Sequence, residues 1–76
     1  MNRKKTKEGI LMANIILNQI GQAWNGKGFG GAGLRIETMD QLNTEAPKIA
    51  QVARGKMFVV QEGCTTTENA VTEFEV

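Results

Sequence analysis

Seventy-six residues with nine Lys and Arg, eight Asp and Glu and a net charge of +1 make one domain, because a core this small cannot be divided. One cysteine and no histidine exclude an intrachain disulfide and remove the commonest zinc ligand. A chain of this size buries only about 60–65% of its unfolded surface, so a homodimer is the remaining way to add buried area.

Residues 1–11 hold Arg3, Lys4, Lys5 and Lys7. They read as a basic, disordered arm or an N-terminal extension ahead of a single α+β domain at 12–76. Lys7-Glu8-Gly9 is encodable by a purine run resembling a bacterial ribosome-binding site, with Met12 a few codons on as the functional initiator. The basic start and the apolar patch after it resemble a signal peptide only faintly, since Asn18, Gln19 and Gln22 stand where small residues belong. No apolar run approaches the ~18 residues that span a bilayer, and an unpaired cysteine suits a reducing setting, the cytoplasm of a bacterial host.

The first apolar segment admits two readings. Ile10, Ala13, Leu17, Ile20 and Trp24 fit a helical stripe, whereas Ile15, Ile16 and Ile20 favour a strand. With Met12 as the start, a strand over Ala13–Ile20 is the more natural of the two. Trp24 to Gly33 then holds five of the nine glycines, with Trp24, Lys27 and Phe29 embedded among them. Leu34 to Met39 alternates strictly and predicts a second strand, with Leu34, Ile36 and Thr38 on one face.

A helix is predicted from Thr44 to Arg54. Thr44 is its N-cap, Glu45 favours the first turn, and Pro47 falls where amides lack intrahelical partners. Ala46, Ile49, Ala50 and Ala53 form the apolar stripe, and Gly55 supplies the C′ position. Lys56–Gln61 and Val71–Val76 read as strands. A capped helical turn at Thr65-Thr66-Thr67-Glu68 lies between them. The fold class is α+β: a small antiparallel sheet in the order β-β-α-β-β with one helix on one face.

The glycine stretch matches G-x-G-x-x-G twice, at Gly26–Gly31 and at Gly28–Gly33. A dinucleotide fold needs a helix directly after the motif, and an alternating segment follows instead. A P-loop is excluded because no Gly-Lys-Ser/Thr occurs. A glycine-rich hairpin connection remains, in which Trp24 either folds back onto the core or stacks on a ligand ring. Phe29, flanked by glycines, is expected to be exposed for contact. With no His and no Tyr, Cys64 has no familiar base partner, so no enzyme, no catalytic residue, no metal and no cofactor are expected; Cys64 reads as a small packing residue.

Trp24-Asn25-Gly26-Lys27-Gly28 resembles the Trp-Asn-Gly-Lys-Gly motif of a small phage protein family. That family includes Thoeris anti-defence proteins, which sequester a cyclic nucleotide signal, and an anti-CRISPR relative. The end of the chain, Thr66 to Val76, is loosely similar to the family's end, and together the two stretches cover about a third of the chain. Gly21, Gln22 and Ala23 stand where the family has basic residues, and Phe74 stands where it has a second Trp. The resemblance implies a protein of phage or mobile-element origin that acts by binding.

Three functions follow from these features. The first is a non-catalytic binding module that inhibits or modulates a host factor, with Lys27, Phe29, Arg35 and Trp24 as contacts. The second is a sponge for a nucleotide-like ligand held by Trp24, Asn25 and Lys27. The third is a nucleic-acid accessory role for Arg3, Lys4, Lys5 and Lys7.

Overall fold

The computed structural model describes residues 13–64 and 66–76. The basic arm, Met12 and Thr65 lie outside them. Three strands form an antiparallel sheet in the order β1 (Asn14–Leu17), β2 (Lys56–Gln61), β3 (Thr72–Glu75), and one helix, α1 (Met39–Ala50), separates β1 from β2. The fold is a small α+β domain.

Each face of the sheet carries an apolar cluster, and strand alternation explains how. Successive side chains point to opposite faces. Ile16, Met57 and Val59 join Trp24, Ile36 and the α1 residues Leu42 and Ile49 in the main core. Ile15, Leu17 and Val60 point the other way into a smaller cluster with Ala23, Phe58, Cys64 and Ala70 around it. Cys64 is half-buried there, a packing residue with a free thiol.

The strand over Ala13–Ile20 is shorter than expected. It ends at Leu17 because Asn18 builds a closed turn. The Asn18 side-chain oxygen accepts from the Ile20 and Gln22 amides at 3.1 and 2.8 Å, and the Asn18 amide donates to the Gln22 carbonyl at 2.9 Å.

The second strand contracts to one bridge. Asn14 and Ile36 exchange both backbone hydrogen bonds, at 3.0 and 2.7 Å. Leu34 and Ile36 still reach the core as one alternating face, but Thr38 is withdrawn to start the helix.

That start corrects the predicted helix boundaries. Thr38 is the N-cap: its hydroxyl accepts from the Gln41 amide at 3.2 Å, and the Gln41 side chain accepts from the Thr38 amide at 2.9 Å. This reciprocal box satisfies amides that a helix otherwise leaves orphaned. Thr44 therefore sits inside the helix and donates its hydroxyl to the Asp40 carbonyl at 2.8 Å, a back-bond typical of mid-helix threonine. The buried stripe is Leu42, Glu45 and Ile49, while Ala46, Ala50 and Ala53 are only half-buried. Gly55 is not a helix cap; it exchanges two 3.0 Å backbone bonds with Val76 and prolongs the β2–β3 pairing. The short turn before β3 is a 3-10 turn over Thr67–Asn69, capped by Thr66.

Candidate functional site

The glycine-rich stretch forms a tight hairpin tied to the outer edge of β1. The Trp24 amide donates to the Ile16 carbonyl at 2.8 Å, and the Leu34 amide to the Trp24 carbonyl at 2.7 Å. Asn25 organises the tip. Its side-chain oxygen accepts from the Lys27 and Gly28 amides, both at 2.9 Å, and its side-chain nitrogen donates to the Gly30 carbonyl at 3.1 Å. Gly26 takes φ +99° within this turn, a conformation that side-chain-bearing residues rarely adopt. The Trp-Asn-Gly-Lys-Gly motif thus has a local structural role at four of its five positions; Asn25 and Lys27 are exposed, and only the Asn25 side chain is engaged in the turn.

Trp24 takes the first of its two expected places. It is 1% exposed, and its indole N–H donates to Glu45 Oε1 at 2.9 Å. The ring offers no face to a ligand in this arrangement. Phe29 is half-buried, against the expectation of full exposure, because its ring meets the Trp24 indole edge-on with centroids 5.2 Å apart. Arg35 is exposed and paired with Glu62 at 3.3 Å, a solvent-screened contact of small energetic value. Arg35 lies outside the pocket residues that Phe29 shares, so the expected contact residues do not converge on one site.

The structure instead assembles a surface that periodicity did not indicate. Ile20 is 78% exposed and Val52 59% exposed. Together with Phe29, Ala53 and Met57 they line an open groove of about 340 Å³, with Arg54 among its walls. Four separate segments supply it: the Asn18 turn, the glycine hairpin, the stretch just after α1 and Met57 of β2. Arg54 is fixed in place, because its Nη1 donates to the carbonyl of Ala53 at 2.8 Å and to that of Ala50. The only sequence signal was Asn18-x-Ile20-Gly21, a turn that places an isoleucine where turns usually carry polar residues.

A second depression, about 450 Å³, lies between the glycine hairpin and the smaller core cluster. Ile15, Leu17, Gly30, Gly31, Gly33 and Cys64 are among its walls, and none of its described lining residues is charged. Among the described residues there is no group of three His, Cys, Asp or Glu side chains placed to hold a metal ion, and no helix is long and apolar enough to cross a membrane. No family model, curated protein or solved structure matches this chain; the family resemblance rests on its motif residues.

Proposed function

We propose that this chain is a small non-catalytic binding protein that modulates a protein partner, a host factor in the bacterial cytoplasm, through the groove bounded by Ile20, Phe29 and Val52. One observation carries the reading. Ile20 is displayed on a turn whose hydrogen bonds are already closed by Asn18, so little ordering entropy would be lost when a partner covers it. Preorganised apolar anchors of this kind concentrate binding energy. Arg54, held over the end of α1, favours a partner that brings an apolar side chain flanked by an acidic group.

The test compares proteins captured from a bacterial lysate by the natural chain and by the Ile20→Ser/Val52→Ser variant. A stoichiometric partner retained by the first and lost by the second supports the reading. Equal capture by both would remove the groove from consideration.

The nucleotide-sponge reading takes second place, supported by the glycine-walled depression beside the hairpin. Its uncharged lining suits the base or ring of a ligand better than its phosphates. Trp24 contacts this hairpin through the backbone, so a cyclic nucleotide panel that shifts its emission would raise this reading above the first.

A further inference from the structure

We propose that the outer edge of β3 is a docking site for an extended segment of a partner protein carrying Lys or Arg at every second residue, which adds to the sheet as a fourth strand. This surface is separate from the apolar groove and does not depend on it. The strand order places β3 at one margin of the sheet. The opposite margin, along β1, is occupied by Trp24 and Ile36.

The pairing pattern says which groups face outward. Gly55 and Val76 exchange two backbone bonds, so they are a hydrogen-bonded pair, and antiparallel pairs alternate in type. Lys56–Glu75 and Phe58–Glu73 are then non-bonded pairs in the observed register. Glu73 and Glu75 consequently turn their N–H and C=O groups away from β2, and no described strand takes them up. Both side chains are exposed, on the face that also carries Lys56, whose Nζ is 3.3 Å from Glu73 Oε1.

Charge selects the occupant. If a second copy paired β3 with β3, its outward-facing residues would meet each other, and each such register sets one glutamate opposite another. That arrangement is repulsive and blunts the edge against self-association. A segment with alternate cations sets positive charge opposite Glu73 and Glu75 while its backbone completes the ladder, the strand-addition mode of peptide recognition.

The probe is a fluorescent, end-capped peptide of alternating Lys and Thr, titrated into the full chain by anisotropy. Binding should weaken roughly tenfold in Glu73→Gln/Glu75→Gln, in keeping with two cross-strand pairs, and disappear in Glu73→Lys/Glu75→Lys, with melting curves showing both variants folded. A peptide N-methylated along one backbone edge should not bind. Hydrogen exchange at the Glu73 and Glu75 amides should slow on saturation. Equal binding of the N-methylated peptide or of the Lys variant would overturn the proposal. So would amides already protected in the free chain that lose protection when Arg3, Lys4, Lys5 and Lys7 are changed to Gln, since the chain's own arm would then be the occupant.

Discussion

Trp24 donates its indole N–H to Glu45 Oε1 across 2.9 Å, which ties the glycine hairpin to the middle of α1 through the core. Glu45 is 8% exposed and also receives Lys48 Nζ at 3.2 Å, so its carboxylate is satisfied from two sides. One hydrogen bond thereby sets the hairpin's position relative to the helix, and with it the placement of Phe29 at the groove.

Removing the acceptor should be costly. Glu45→Ala leaves a buried indole N–H unpaired, an expected loss of about 1–3 kcal/mol. Glu45→Gln keeps an acceptor oxygen and should lose less. Denaturant unfolding followed by circular dichroism, in a cycle with Trp24→Phe, measures the coupling. Strictly additive losses would mean that the two side chains do not depend on each other.

Two glycines of the hairpin should respond unequally to alanine. A Cβ on Gly33 would lie 2.8 Å from Ile15 Cγ2 and 3.2 Å from Ala23 Cβ. Gly33→Ala therefore overpacks the junction between hairpin and β1, with an expected cost of about 1–3 kcal/mol. Gly28 has nothing within 4 Å of that position, and Gly28→Ala should change stability by less than about 0.5 kcal/mol. Similar midpoints for the two variants would contradict the close packing at Gly33.

What the sequence revealed and what it hid follow from the range of the interactions. Lys56–Gln61 was legible to the residue because a β-branched, aromatic run bounded by glycine is a local signal. The α+β class was legible for the same reason. The start of α1 was not: Thr38 and Thr44 are both acceptable caps, and only the Gln41 side chain reaching back to Thr38 distinguishes them. A capping box at Thr38-x-x-Gln41 was present in the sequence but was overridden by the alternation of Leu34 to Met39. Alternation persisted for Leu34 and Ile36, whose side chains both reach the core, while hydrogen bonding stopped after one bridge. The groove was hidden because its walls come from segments far apart in the chain.

Pro47 supplies a third test. It is the ninth residue of α1, where it cannot donate to the Asn43 carbonyl. Pro47→Ala restores that donor on an exposed position, and the helical gain outweighs the lost rigidity of the unfolded chain, about 0.4–1 kcal/mol. A net stabilisation on the order of 1 kcal/mol is expected, read as a higher denaturation midpoint. Thr38→Ala should move the midpoint the other way by about 1 kcal/mol, because it removes the cap. A lower midpoint for Pro47→Ala would show that the proline's restriction of the unfolded chain outweighs the restored helical hydrogen bond.

Contact and stability separate most clearly between Ile20 and Phe29. Both line the groove, but Phe29 rests on Trp24 while Ile20 is 78% exposed. Phe29→Ala removes an aromatic pair worth about 0.5–1.5 kcal/mol beyond its buried area, so its melting temperature should fall along with any partner affinity. Ile20→Ser removes no core contact, and its stability should stay within about 0.5 kcal/mol of the natural chain. Its affinity for a partner seated in the groove should fall by tenfold or more, about 1.4 kcal/mol, as expected for a preorganised anchor. Calorimetric melting and binding measured on the same two variants decide the matter. If Ile20→Ser binds normally and only Phe29→Ala is impaired, the groove is a by-product of core packing rather than the contact surface.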